Sequence, residues 1–171
     1  TCIYEKLRAA GLLDRSYRIP VIIKLADFTP EVQAVHDPKY CKKINQTSLM
    51  TSLDDLGQFS SQFNSVYISP STAISATVAA AATIDVCLSV ARGQVENGFA
   101  IVRPPGHHAE HDEAMGFCIY NNVAVAASTL LRKKLASRIL ILDWDIHHGN
   151  GTQNSFADSG DVLYISIHRF D

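Results

Sequence analysis

SRILILDWDIHHGNG, residues 137–151, is the stretch that decides the fold. Residues 137–142 form a near-continuous apolar run, the pattern of a strand buried on both faces of a parallel sheet. The next residues switch abruptly to acids, imidazoles and glycines. Residues 162–167, VLYISI, repeat the apolar run and are followed by His168, Arg169, Phe170 and Asp171. On the N-terminal side, Asn121 can cap a helix reaching about Lys134, and GFAIV, residues 98–102, is a further buried-strand candidate. Apolar strands separated by helices predict the α/β class, a mostly parallel sheet with helices on both faces.

Further upstream the pattern is mostly helical. Pro70, Ser71 and Thr72 open a long helix in which Ile74, Val78, Ala81, Ile84, Leu88 and Ala91 recur at helical spacing, with Gly93 at the stop. Its many alanines predict close packing, and Ser75, Thr77, Asp85 and Ser89 argue against a membrane span. Ile3, Leu7 and Ala10 predict a helix over residues 3–13. Thr29, Pro30 and Glu31 open a short helix to Val35 with Pro at its first position, and residues 38–44 form another. Residues 18–25 are apolar and rich in Ile and Val, a strand candidate. Residues 46–65 are polar and are expected as loop with a helical turn.

The chain has 171 residues, 47% hydrophobic and 19% charged, which suits a globular domain and not a disordered one. With 15 basic against 17 acidic residues the net charge is -2, so no strongly basic nucleic-acid footprint exists. Cys2, Cys41, Cys87 and Cys118 are scattered without a C-x-x-C pair and are expected as reduced thiols. There is no signal-peptide core at the start, no repeat and no linker, so one domain or part of one is expected.

In open parallel sheets, ligands bind beyond the carboxyl ends of the strands. His107, His108, His111, His147 and His148, five of seven histidines, lie in or beside the segments that follow residues 98–102 and 137–142. In an extended chain Asp143, Asp145 and His147 share one face, with Trp144, Ile146 and His148 on the other. A carboxylate and an imidazole there suit Zn²⁺ or a similar divalent ion, with Asp143 deeper as an orienting group or part of a buried cation site. His107 and His108 follow two prolines and Gly106, a rigid approach to a pair able to serve as general base and acid. Asp143 or Asn150 could each hold one ring in its tautomer. Gly149 and Gly151 suit a tight turn. Phe117 suits either the wall of an apolar channel or a core position. Cys118 has no base beside it, and no G-x-S-x-G elbow is present. The residues alone therefore point to metal-assisted hydrolysis with two histidines moving protons.

RPPGHHAE (residues 103–110), GFCIYNNVAVAA (116–127) and ILDWDIHHGNGTQ (141–153), in that order and spacing, resemble the zinc-dependent histone deacetylases. Asn150, where class I members carry Asp, and the DWDIHHGNGTQ wording are similar to class II. VHDPKYCKKI (35–44) and SVYISPSTAISA (65–76) agree more loosely. Bacterial acetylpolyamine amidohydrolases share the fold and similar motifs.

The resemblance implies an arginase/deacetylase-like three-layer fold and removal of acetyl groups from lysine side chains. Asp145 and His147 match two of three zinc ligands, and His107 and His108 the catalytic histidines, the second being the better general acid–base candidate. Asp143 and Asn150 match their hydrogen-bond partners. Asp143, Asp145 and His147, with Ser166 and Ile167, match a structural potassium (K⁺) site, and Phe156, Ser159 and Val162 parts of a second one. Gly116 and Phe117 match the acetyl-lysine channel, and His36 a structural segment. Implied partners are acetyl-lysine proteins such as histone tails and subunits of corepressor or chromatin complexes, with neither nucleic acid nor membrane bound directly. The implied role is transcriptional repression in the nucleus, with the cytoplasm as a second compartment. The family's third zinc ligand, an Asp, and its transition-state Tyr have no match here. Residues 1–171 are thus expected to be the N-terminal to central part of one catalytic domain, lacking its C-terminal part and inactive alone. The alternatives are an acetylpolyamine or small-amide hydrolase and a truncated, non-catalytic partner-binding form.

Overall fold

The computed structural model describes residues 2–20 and 29–170. Among the described residues, seven α-helices and two strands follow in chain order: α1 Cys2–Ala9, α2 Thr29–Val32, α3 Pro38–Gln46, α4 Leu53–Ser60, α5 Thr72–Ala91, α6 Asn122–Arg132, β1 Ile139–Asp143, α7 Asn150–Phe156 and β2 Val162–Ser166. The architecture is α/β, with helices and a sheet whose described strands pair in parallel.

Small side chains let the central helices approach closely. Ala76, Ala80, Ala81 and Ile84 of α5 and Ala124, Val125 and Ala126 of α6 are buried, and the two helices pack on each other. By length and apolar composition α5 could cross a membrane, yet here it is the central core helix. The Asn121 side chain accepts a hydrogen bond from the Ala124 N–H at 3.0 Å, the cap expected for α6. Asp37 caps α3 in the same way, accepting from the Lys39 and Tyr40 amides, with Pro38 first in the helix.

β1 and β2 pair in parallel, Ile139 opposite Val162 through Asp143 opposite Ser166. The register divides the sheet's side chains. Ile139, Ile141, Asp143, Val162, Tyr164 and Ser166 share a partly or fully buried face, and Leu140, Leu142, Leu163 and Ile165 share an exposed one.

Several expected elements differ. Residues 98–102 form no strand: Phe99 is 69% exposed, and no described strand pairs with them, so apolar content alone does not make a ladder. Residues 46–65, expected as loop with a helical turn, hold more helix than that: a short 3₁₀ turn, Thr47–Leu49, and α4. The Ser52 hydroxyl caps α4 at the Asp55 N–H, and α4 buries Leu56 and Phe59 one turn apart. α2 ends at Val32, short of Val35. The strand expected over residues 18–25 falls mostly on residues 21–28, outside those described.

A buried polar strut joins the N-terminal half to the sheet's carboxyl edge. His36 is fully buried; its Nδ1 lies 2.8 Å from the Glu110 carbonyl, and its Nε2 accepts from the Asn121 N–H at 2.9 Å. Those two partners fix the tautomer, with the proton on Nδ1. The Asn121 amide also donates to the Thr152 hydroxyl at 3.1 Å, tying α6 to α7. Among the described residues, no buried side-chain nitrogen or oxygen lacks a hydrogen-bond partner.

Burial pushes the His36 imidazole down from 6.5 to about 4, against the opposing pull of the Glu110 carbonyl. Below the unfolded value the unfolded chain binds a proton that the folded chain refuses. Stability is therefore full above pH 6.5 and falls as pH drops toward about 4. The shift corresponds to roughly 3 kcal/mol over that window. Denaturant unfolding of wild type and His36→Gln across the window tests this. The wild-type curve is expected to fall more steeply, and parallel curves would refute the assignment.

Candidate active site

The loop after residues 98–102 and the loop after β1 meet at one edge of the sheet. The first is fixed from several sides. Thr152 at the start of α7 donates its N–H to the His107 carbonyl at 3.1 Å, Asn122 at the start of α6 donates to the Pro104 carbonyl at 3.1 Å, and His36 holds Glu110. His107 and His108 are consequently half-buried and stacked obliquely, ring centroids 4.0 Å apart.

Each imidazole is gripped at Nδ1 by a different partner. His107 Nδ1 lies 2.9 Å from Asp143 Oδ2, and His108 Nδ1 lies 2.7 Å from Asn150 Oδ1. The two alternatives the sequence left open resolve into one partner per ring. With Nδ1 engaged, the outer edges turn toward the third group: His107 Nε2 is 3.9 Å from Asp145 Oδ1, and the His108 ring meets the His147 ring edge-on at 5.9 Å.

β1 ends at Asp143, so strand alternation does not carry on to His147. Local side-chain bonds take its place. Asp143 Oδ1 accepts from the Asp145 N–H at 3.1 Å, and Asp145 Oδ1 accepts from the His147 N–H at 2.8 Å. This ladder keeps Asp143, Asp145 and His147 together without a strand. Asp145 and His147 are exposed, with Asp145 Oδ1 3.2 Å from His147 Nδ1. Desolvation pushes the Asp145 carboxyl up, but the His147 amide, the His107 charge and the His147 ring outweigh it and hold the group below its usual value.

The expected tight turn forms at Gly149, where the Asn150 N–H donates to the His148 carbonyl at 3.0 Å, and the two glycines also let the loops come close. Gly149 has φ −82°, open to any residue, but a Cβ there would collide with Asp143 Oδ2 and the Tyr164 hydroxyl and press on His107 Nδ1. A Cβ on Gly151 would strike the Ala109 carbonyl. These absent side chains let the two loops interlock.

Gly116 and Phe117 both have positive φ, +53° and +69°. That is strained for a bulky residue. The Asn64 and Ser65 carbonyls hold the bend by accepting from the Gly116 and Phe117 amides at 3.0 and 2.8 Å. Phe117 is 59% exposed and stacks on Tyr67 at 6.4 Å, so it is no core residue. Cys118 is buried, and burial pushes its thiol up to about 11, which suits an inert core position. All four cysteines are free thiols. Ser166 and Ile167 lie beside Asp143 at the sheet edge; the Ile167 N–H donates to the Asp143 carbonyl at 2.8 Å, and the Ser166 hydroxyl pairs with His168 Nδ1 at 2.7 Å.

Sequence reasoning missed Tyr164, Glu110, Asn154 and Tyr67. Tyr164 donates its hydroxyl to Asp143 Oδ2 at 2.9 Å. Partial burial, with the Asp143 charge, raises its phenol above the usual value and so keeps the donated proton in place. A tyrosine two residues from the end of an apolar strand was the available signal.

Two Nδ1-anchored imidazoles thus stand beside a carboxylate–imidazole pair at the carboxyl edge of the parallel sheet. A family model for the histone deacetylase domain matches residues 1–171. Histone deacetylase 18 of Arabidopsis thaliana is 43% identical over 99% of this chain and 25% of its own length. Polyamine deacetylase HDAC10 of Homo sapiens is 40% identical over 100% of this chain and 25% of its own. A solved structure described as the HDA15 HD domain superposes with a TM-score of 0.77 at 38% identity, covering 95% of this chain and 43% of that one. This chain belongs to the histone deacetylase family, with class II-like character. It spans about a quarter of the length of these curated relatives.

Proposed function

We propose that the protein containing this chain is a zinc-dependent amidohydrolase that removes acetyl groups from lysine side chains of proteins. The observation that carries this is the anchoring of His107 and His108 at Nδ1 with their outer edges toward Asp145 and His147. Asp145 and His147 are the residues that would hold the metal. Their carboxylate and imidazole suit Zn²⁺, and among the described residues no group of three such donors occurs. Zinc, when bound, supplies Lewis acidity toward the acetamide carbonyl and the attacking water.

The remaining work falls to the chain. Asp143 accepts from His107 Nδ1, so a proton gained by His107 is stabilised by a neighbouring carboxylate. His108 faces the neutral amide oxygen of Asn150 and can pass a proton at Nε2 without being held charged. His108 is thus the group that takes a proton from water and returns it to the departing amine. Phe117 and Tyr67 offer parallel aromatic faces, 14° apart, that suit one wall of a channel for the aliphatic lysine stem. Asp143, Ser166 and Ile167 mark the place of a structural K⁺. Histone tails as substrates, chromatin complexes as partners and a nuclear site of action belong to the same proposal, supported by the histone deacetylase names among the relatives.

A second substrate has its own support, since one relative at 40% identity is named a polyamine deacetylase. Acetyl-lysine peptide and N-acetylspermidine, offered separately to the full-length protein with and without a chelator, separate the two. Chelator-sensitive turnover favouring the peptide is expected. Preference for the acetylpolyamine would move the assignment to the small amide, and chelator-insensitive turnover would overturn the metal.

A further inference from the structure

Asn150 differs from a carboxylate in having two unlike ends. Its oxygen accepts and its nitrogen donates, and the two look alike in shape. Which end faces His108 decides which ring nitrogen carries the proton. The chain settles this by contacts that only a donor can make. Asn150 Nδ2 donates to Glu110 Oε1 at 2.6 Å and to the His108 carbonyl at 3.3 Å. Carboxylate and carbonyl oxygens only accept, so the amide nitrogen must face them and Oδ1 must face His108 Nδ1, 2.7 Å away. Nδ1 then carries the hydrogen, and the neutral ring has its lone pair on Nε2.

Glu110 is itself held. Asn154, one turn along α7 on the same face as Asn150, donates to Glu110 Oε1 and Oε2 at 2.9 and 3.1 Å. Two asparagines four residues apart thus grip one carboxylate from a loop 40 residues earlier. Meanwhile His36 and the Glu113 carbonyl hold the Glu110 backbone. Glu110 and Asn154 also line a cavity of about 380 Å³ with His111 and Phe156, so shortening the carboxylate leaves room for water.

We propose that Glu110 is a positioning residue, whose carboxylate locks the Asn150 amide in the one orientation that keeps the His108 proton on Nδ1 and frees Nε2 as the base. This rests on the amidohydrolase function proposed above. Without Glu110 the amide can flip, present its NH₂ group to Nδ1 and favour the opposite tautomer.

The test uses the full-length protein labelled with ¹⁵N-histidine, the His108 signals being assigned by their loss in His108→Asn. Wild type is expected to show a proton on Nδ1 and a bare Nε2, and Glu110→Ala a mixture or the reverse. In the same variant kcat on an acetyl-lysine peptide is expected to fall about 10–100-fold with KM little changed. Glu110→Gln, which keeps an acceptor for Asn150, should retain the tautomer and most of the rate. The double variant Glu110→Ala/Asn150→Asp should recover the tautomer of the neutral ring, because an aspartate has no donor end to present, but not the full rate, because its carboxylate holds a protonated His108. Since the double variant also lacks Glu110, its recovered tautomer separates positioning from a folding defect. Wild-type tautomer and rate in Glu110→Ala, or no recovery of the tautomer in the double variant, overturns the proposal. If the wild type hydrolyses no acetamide while the tautomer still follows Glu110, the enzymatic assignment fails and the positioning stands.

Discussion

Replacing His108 with Asn in the full-length protein is expected to lower kcat on an acetyl-lysine peptide by about 10²–10⁴-fold, with KM within a few-fold. The size follows from what the ring does. Its Nδ1 is engaged by Asn150 at 2.7 Å, which leaves one nitrogen for proton transfer. An Asn in its place can still meet Asn150 but has no basic nitrogen. Substrate binding is assigned to Phe117 and Tyr67, which His108→Asn leaves in place. His107→Asn should behave differently. His107 faces the Asp143 carboxylate, so its loss leaves that carboxylate without its ring partner as well as removing a proton carrier. Steady-state kinetics at several substrate concentrations reads the difference. A His108→Asn enzyme within tenfold of wild-type kcat would remove His108 from the proton-transfer role.

Gly149→Ala is the second large effect, and its cause is space. At φ −82° and ψ 69° the backbone accepts alanine without strain. The added methyl collides with the Asp143 carboxylate and the Tyr164 hydroxyl and reaches His107 Nδ1 at 3.0 Å. All three belong to one network: Tyr164 donates to Asp143 at 2.9 Å, and Asp143 grips His107 at 2.9 Å. The expected outcome is about 1–3 kcal/mol of lost stability from overpacking. A loss of kcat above about 100-fold should accompany it, since displacing catalytic groups by about 1 Å costs that much. Denaturant unfolding and kinetics on one preparation measure both. A variant as stable and active as wild type would show that the loops close less tightly than described.

The elements that the sequence exposes are those whose signal is local. β1 and β2 stand out as apolar runs, α5 and α6 as helical periodicity, and α6 carries its own cap in Asn121. α4 had such a signal too. Ser52 as cap, acids at Asp54 and Asp55 in the first turn, and Leu56 and Phe59 one turn apart mark it, and the polar surroundings hid it. Residues 98–102 show the reverse error: an apolar run reads as a strand, but a strand exists only with a partner beside it.

The same division holds at the site. Asp143, Asp145, His147 and Asn150 are legible because the loop after a parallel strand gathers ligand-binding groups, and His107 and His108 because they are adjacent after Pro104, Pro105 and Gly106, although no strand precedes them. The structure brings all six together, although β1 stops before Asp145 and side-chain bonds to the backbone carry the chain onward. Glu110, Tyr164 and Asn154 act across contacts of 21 to 44 residues in sequence, and no local pattern states such a contact. The glycines announce the turn that forms at Gly149 but not the closeness they permit. Flexibility is what a glycine shows in sequence, whereas at Gly149 and Gly151 the fold needs the missing Cβ.

The central claim is that Asp145 and His147 hold a catalytic divalent ion in front of two histidines. Zinc content of the full-length protein, measured after exhaustive dialysis for wild type, Asp145→Asn and His147→Ala, tests it most directly. The prediction is about one tightly held zinc per catalytic domain in wild type, as for a catalytic zinc site, and little or none in either variant, with both still folded. Equal zinc in all three, or a wild type that is active yet holds no zinc, would contradict it.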